Sequence, residues 1–181
     1  MKQVLTTFVA FAITALFFAC GSNETKTEDH SKHQTATEKE SAAPVGAVKL
    51  QDEELNAVYQ HYVHLSTALS NSDMAEAKAA SNAIEAGAKE LDNGSRIATE
   101  ASKITAAKNI EEQRAAYETL SNEMIMLVKN AGLSSGELYV QHCPMAFNDK
   151  GASWLSSNKE IRNPYFGEKM LTCGETTETI K

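Results

Sequence analysis

The chain has 181 residues, of which 42% are hydrophobic and 7% aromatic, and its formal net charge is −7. This length suits one compact domain with tails, and an apolar set rich in alanine favours close-packed helices over a sandwich of strands. An acidic chain lacks the excess of Lys and Arg that neutralises phosphates, so a nucleic-acid partner is not expected.

Residues 1–19 have the proportions of an export signal peptide, with Lys2 before an apolar run. The run is marginal for a membrane span, which needs about 20 apolar residues with flanking anchors. Leu16, Ala19 and Cys20 resemble the lipobox of bacterial lipoproteins, in which the cysteine becomes the acylated N-terminus. The resemblance implies a protein anchored by lipid in the cell envelope, on the periplasmic or outer side of a bacterial membrane. The alternative is a soluble secreted protein whose Cys20 has another role.

Residues 20–46 are expected to be the lipidated cysteine followed by a disordered tether. They are rich in Ser, Thr, Glu and Lys and end near Pro44, and such a composition cannot bury enough apolar surface to offset the entropy of ordering. His30 and His33 could contact a metal ion transiently. A solvated linker is the better interpretation of this segment.

Residues 47–132 carry apolar side chains at helical spacing and predict an antiparallel four-helix bundle. Asp52, Asp73 and Asn109 are placed to begin helices, and Gly132 is placed to end the last one. Short turns join the predicted helices, which cover residues 50–71, 73–91, 95–108 and 109–131. The fold is therefore expected to be mainly α.

The helical body is expected to act as a scaffold. It has no glycine-rich phosphate loop, nucleophile elbow or His-Glu-x-x-His motif, and an enzyme is not expected. His61 and His64 lie beside the apolar stripe and are interpreted as surface or rim residues rather than metal ligands. Met124 has core spacing and is interpreted as core filler.

Residues 133–181 are expected to form a small irregular or β segment of the same domain, packed against the bundle. The segment concentrates sulfur side chains close to turn-forming residues, which is unusual in so short a stretch. Its candidate metal ligands are Cys143, Met145, Met170, Cys173 and His142.

The local geometry around each cysteine predicts how these side chains point. Pro144 favours an extended chain before it, so Cys143 and Met145 are expected to share one face, with His142 on the other. A helical turn over residues 169–173 would direct the sulfur of Met170 and that of the second cysteine to one side. Turn signals between the two cysteines allow the ends of the segment to meet.

Two interpretations of these residues compete. Cys143, Met145, Met170 and Cys173, with His142, offer thiolate and thioether ligands, which select Cu(I) over hard cations. Zinc has little use for methionine and prefers more Cys and His. The rival is a Cys143–Cys173 disulfide, whose loop of 30 residues would add about 3–4 kcal/mol of stability on the entropy model. Spacing alone slightly favours the disulfide, which leaves the methionines unexplained. A thiol oxidoreductase is disfavoured because no Cys-x-x-Cys is present.

Three motifs carry a resemblance to a known family: Cys143-Pro144-Met145, the Asn-Pro-Tyr-Phe-Gly run 163–167, and Met170-x-x-Cys173-Gly174. Over residues 50–173 the chain resembles an uncharacterised bacterial family, helical in its first part. Members occur alone in lipoproteins and fused to periplasmic adaptor subunits of RND-type copper/silver efflux systems. The resemblance implies that the motif handles copper, and it suggests heavy-metal efflux components as partners. It moves the balance towards a soft-metal site.

Overall fold

A computed structural model describes residues 48–181. The predicted signal peptide 1–19, the lipidation site Cys20 and the tether to residue 46, with its His30 and His33, lie outside the described residues. None of the helices within residues 48–181 is long and apolar enough to cross a membrane.

Four long helices form the first part of the described chain: α1 (Glu53–Ser70), α2 (Met74–Ala88), α3 (Ser95–Ala106) and α4 (Ile110–Ala131). The predicted caps are confirmed, because the side chains of Asp52, Asp73 and Asn109 accept hydrogen bonds from backbone N–H groups of the first turns. Gly132 ends α4 and its N–H donates to the oxygen of Val128. The predicted bounds therefore differ from those of the structure by three residues or fewer.

The helices pack in chain order, α1 on α2, α2 on α3 and α3 on α4, and α4 also contacts α1. An up-down four-helix bundle produces this order of contacts. Met124 is fully buried in the core, as predicted, whereas His61 and His64 are exposed. Nε2 of His64 lies 2.9 Å from the carboxylate of Glu76 on α2.

Two small antiparallel sheets complete the structure. In the first, β1 (Lys49–Leu50) pairs with β2 (Leu133–Ser135). The second has the order β4-β3-β5 and is formed by β3 (Leu138–Cys143), β4 (Ala152–Ser156) and β5 (Glu175–Ile180). A short turn (Ala146–Asp149) follows β3, and a 3-10 turn spans Gly167–Lys169. The described chain is thus mainly helical, with small antiparallel sheets at its C-terminal end.

The three-stranded sheet is tied to the helices at its buried edge strand. Strand β4 contacts α4, and the N–H of Leu155 on β4 donates to the hydroxyl of Tyr62 on α1 at 2.9 Å. The sequence predicted a small irregular or β segment over residues 133–181 without placing β4 and β5. Strand β5 has the sequence ETTETI and is almost wholly exposed, so its strand conformation comes from pairing with the buried strand β3 rather than from its own side chains.

Two local expectations about the sulfur residues are wrong. Strand β3 ends at Cys143, and Met145 has helical backbone angles, so the strand alternation stops between them. Cys143 is consequently buried, while the side chain of Met145 is 47% exposed. The helical turn expected over residues 169–173 is also absent. The backbone of Met170 leaves the helical region, and the N–H of Cys173 donates to its oxygen in a tight turn.

Candidate metal centre

The structure brings the two cysteines of the C-terminal segment into contact. Cys143 ends strand β3 and is buried, and Cys173 lies in the turn before β5 and is half-buried. Both are free thiols, and their Sγ atoms lie 3.0 Å apart. A disulfide bond measures about 2.05 Å, so the sulfurs touch without being bonded. The prediction that the two ends of the segment meet is confirmed.

Asn163 positions the second cysteine. It is fully buried, and its Nδ2 donates to the backbone oxygen of Cys173 at 2.8 Å. Its Oδ1 accepts from the N–H of Tyr165 at 2.8 Å, while its own N–H donates to the oxygen of Leu171 at 2.7 Å. The sequence indicated Asn163 only as part of a turn. An Asn before a proline is a signal for an Asx turn, but the hydrogen bond from the Asn163 side chain to Cys173 could not be deduced from that signal.

Gly174 lets the turn that carries Cys173 lie flat against the sheet. Its φ is 141°, and a Cβ added there would lie 2.8 Å from the oxygen of His142 and 3.0 Å from Cη2 of Trp154. A side chain at this position would therefore move the turn, and Cys173 with it.

We expect Gly174→Ala to lower the free energy of unfolding by about 1–3 kcal/mol, from backbone strain and overpacking together. Urea denaturation measures it. Gly136→Ala is the matched control, because Gly136 also has a positive φ, 83°, but open space around its Cα. Equal losses in the two variants would show that contact with His142 and Trp154 is unimportant.

The other candidate ligands lie at different places around the cysteine pair. The imidazole of His142 lies against Gly151, and its Nδ1 is 3.0 Å from Oγ of Ser153. Neighbouring residues of a strand point to opposite faces, so this ring and the Cys143 thiol lie on opposite sides of β3. Met145 lies on the surface, and Met170 is half-buried in the chain leading to Cys173.

No three His, Cys, Asp or Glu side chains within residues 48–181 form a group that could hold a metal ion. A centre built on this segment therefore starts from two thiols, Cys143 and Cys173. The pKa of Cys173 is raised to about 11, first because its thiol hydrogen-bonds to Cys143, then through burial and through the charge that Cys143 can carry. Such a thiol stays protonated at neutral pH, so a metal ion binding there would have to displace its proton.

Alkylation by iodoacetamide tests the coupling between the thiols. Because only the thiolate reacts, a raised pKa slows the reaction of Cys173 below about pH 11. Cys143→Ala removes the largest cause of the shift, so the pKa falls and Cys173 should react about tenfold faster at pH 9. Mass spectrometry over time gives the rate. An unchanged rate would show that the two sulfurs do not share a proton.

The helical part of the chain matches a family model. Residues 58–136 match the model described as "Protein of unknown function (DUF3347)". The match runs from within α1 to the residue after β2, and the cysteine-bearing strand and turns follow it in the chain. No curated protein and no solved structure is similar enough to match the chain. A DUF3347 domain is thus found over residues 58–136, which is less than half of the 181 residues of the chain.

Proposed function

We propose that the protein binds a soft metal ion, Cu(I), through Cys143 and Cys173. The observation that carries the proposal is the contact of two free thiols, with Sγ atoms 3.0 Å apart. Thiolate ligands select Cu(I) over hard cations, and a low coordination number needs few of them. The helical body, as a four-helix bundle, is the scaffold that presents this pair.

The surroundings of the thiols suit such an ion. Cys143 belongs to the apolar core, and an apolar shell limits water around a bound metal. Metal–thiolate bonds are about 2.3 Å long for zinc, so an ion held linearly by two sulfurs needs them more than about 4 Å apart. Cys173 is the sulfur that can move, because it is less buried than Cys143 and lies in a turn rather than in a strand. Met145 and Met170 are the candidate additional ligands, and His142 is the more remote one.

A Cys143–Cys173 disulfide is the second candidate, and the same observation favours it. The sulfurs are only about 1 Å further apart than a bond requires, and an oxidising compartment outside the cytoplasm would promote the bond. The protein would then be a structural or protein-interaction lipoprotein. The two candidates exclude each other at any one time, because a disulfide leaves no thiolate for copper.

The place of action is proposed from the sequence. Cys20 as an acylated N-terminus would hold the domain on the periplasmic or outer face of a bacterial membrane, next to heavy-metal efflux components. Metabolic labelling with a radioactive fatty acid tests the anchor. We expect label in the wild-type protein and none in Cys20→Ala, and equal labelling of both would refute the lipid attachment.

Anaerobic titration of the reduced protein with Cu(I), against a chromophoric Cu(I) chelator, tests metal binding. We expect one Cu(I) per chain, lost when Cys143 and Cys173 are both replaced by serine. Met145→Ala and Met170→Ala should weaken binding, and Met126→Ala, which alters an exposed methionine on α4, should not. Copper binding that survives the double cysteine change, or no binding by the reduced wild type, would overturn the proposal.

Mass spectrometry after alkylation separates the disulfide from the free thiols. Protein isolated without reductant and alkylated directly should gain two alkyl groups, on Cys143 and Cys173, if the pair is reduced in the cell. No alkylation, with a mass lower by two hydrogens, would establish the disulfide instead.

A further inference from the structure

A surface cavity opens between the C-terminal segment and α4, and Met145 is the one candidate copper ligand among its lining residues. Its volume is about 650 Å³, within the range of roughly 300–1,000 Å³ of small-molecule sites. Two of the sulfur-segment motifs contribute its apolar wall, since Met145 follows Cys143-Pro144 and Tyr165 and Phe166 belong to the Asn-Pro-Tyr-Phe-Gly run. Phe147 completes that wall, and helix α4 forms the other side of the cavity.

Arg114 of α4 borders the cavity as a buried cation that forms no salt bridge within residues 48–181. Its side chain is only 6% exposed. Nε donates to the oxygen of Pro164 at 2.8 Å, and Nη2 donates to the oxygen of Leu69 at 3.0 Å and to Oγ of Ser72 at 3.1 Å. All of these acceptors are neutral, and no carboxylate in residues 48–181 forms an ion pair with Arg114. Buried charges are ordinarily paired.

Nη1 is the nitrogen of Arg114 whose donors are unused by the described residues. Its N–H groups make no hydrogen bond within the described part of the chain. The buried polar atoms of residues 48–181 that lack a hydrogen-bond partner do not include Nη1. Nη1 therefore contacts solvent. Lys169, at the rim of the same cavity, is exposed and likewise forms no ion pair among the described residues. Two cations thus line one cavity, and each keeps N–H groups without a partner within residues 48–181.

Two carboxylates, Glu111 and Asp149, also line the cavity. The charge of Glu111 raises the pKa of Arg114 while burial lowers it more strongly, so Glu111 is near the guanidinium without pairing with it. The charges of Arg114, Lys169, Glu111 and Asp149 sum to zero. With no net positive charge, the cavity offers little to offset the desolvation of a multiply charged anion, which costs more than that of a singly charged one.

The wall formed by the turn after β3 is strained. Phe147, Asn148 and Asp149 have φ values of 53°, 58° and 63°, in the left-handed region that L-residues other than Asn and Asp rarely adopt. The ring of Phe147 packs edge-on against that of Tyr165, with centroids 5.5 Å apart. Strained backbone persists where the surroundings fix it and is concentrated at binding sites. Here it holds Phe147 in the cavity wall.

We propose that this cavity binds a small monocarboxylate with an apolar body. The carboxylate accepts hydrogen bonds from Nη1 of Arg114 and from Nζ of Lys169, and the apolar body contacts Met145, Phe147 and Phe166. Planar carboxylates match the donor geometry of a guanidinium, and the aromatic and thioether side chains supply the apolar contact. The site shares Met145 with the proposed copper centre but does not require the two thiols.

Titration of the full-length protein with phenylacetate tests the proposal, followed through the methyl NMR signal of 13C-labelled Met145. We expect a saturable shift, and about tenfold weaker binding of the neutral analogue 2-phenylethanol. Inorganic phosphate should compete poorly. No shift at millimolar phenylacetate, equal binding of the alcohol, or equal binding of phosphate would each overturn the proposal.

Charge-removing variants locate the anion. Lys169→Gln should weaken phenylacetate binding about two- to fivefold, because Lys169 is exposed, and Arg114→Gln about tenfold or more. Lys150→Gln is the matched control, a nearby exposed lysine that does not line the cavity. If Arg114→Gln fails to fold by circular dichroism, Lys169→Gln and the neutral analogue still decide the matter. Binding that both Lys169→Gln and Lys150→Gln leave unchanged would refute the site.

Discussion

Replacement of Tyr62 by phenylalanine is expected to lower the free energy of unfolding by about 2–4 kcal/mol. The Tyr62 hydroxyl is fully buried, and its hydrogen bonds join the helices to the sheet. The Tyr117 hydroxyl donates to it at 2.8 Å and the N–H of Leu155 donates to it at 2.9 Å. Because it accepts twice, its own proton goes to Oγ of Ser121, at 2.7 Å. Tyr62→Phe leaves two buried donors and one buried acceptor without a partner. Chemical denaturation measures the resulting loss in the free energy of unfolding.

Tyr59→Phe is the control for Tyr62→Phe. Tyr59 lies on the same helix, with its ring stacked on that of Tyr62 at 6.3 Å. Its hydroxyl is buried, and among the described residues the side chain of Ser157 is its hydrogen-bonding neighbour. Removing this hydroxyl affects at most that one half-buried serine, so the loss of stability should stay below about 1 kcal/mol. Equal losses in the two variants would contradict the role of Tyr62 in joining the helices to the sheet.

Trp154→Ala is expected to lower the free energy of unfolding by about 3–5 kcal/mol, the range for deleting a buried aromatic side chain. Trp154 lies on β4, is 1% exposed, and packs edge-on against Tyr165 with centroids 5.9 Å apart. Its Cη2 also faces Gly174. Deleting the indole therefore removes the side chain that packs against the turn carrying Cys173, as well as contacts in the core.

Circular dichroism is the suitable readout for this variant, because Trp154 is the only tryptophan and its loss removes the fluorescence signal. Trp154→Phe keeps a ring in the core and should lose clearly less stability than Trp154→Ala. A loss below about 1 kcal/mol for Trp154→Ala would contradict the packing described.

The helices could be predicted from the sequence because their determinants are local. Asp52, Asp73 and Asn109 act within their own first turns, and apolar spacing identifies the buried face. Strands β4 and β5 could not be predicted in the same way. Strand β5 consists mainly of Thr and Glu, and it is a strand because it pairs with β3, more than thirty residues earlier in the chain.

The cysteine pair could be predicted only in part. Turn signals between Cys143 and Cys173 indicated that the ends could meet, and the thiols do meet. The hydrogen bond from the Asn163 side chain to the Cys173 carbonyl could not be predicted from the sequence, because a side-chain contact across ten residues leaves no local pattern. The predicted orientation of Met145 was wrong because the chain leaves the strand at Cys143. The left-handed backbone of Phe147 could not be predicted, because no residue pattern in the sequence indicates it.

Copper K-edge X-ray absorption of the reduced protein with one equivalent of Cu(I) tests the central claim most directly. The account predicts a Cu(I) edge and a first shell made of sulfur, which disappears when Cys143 and Cys173 are replaced by serine. A first shell of nitrogen and oxygen, or the same sulfur shell in the double serine variant, would contradict it.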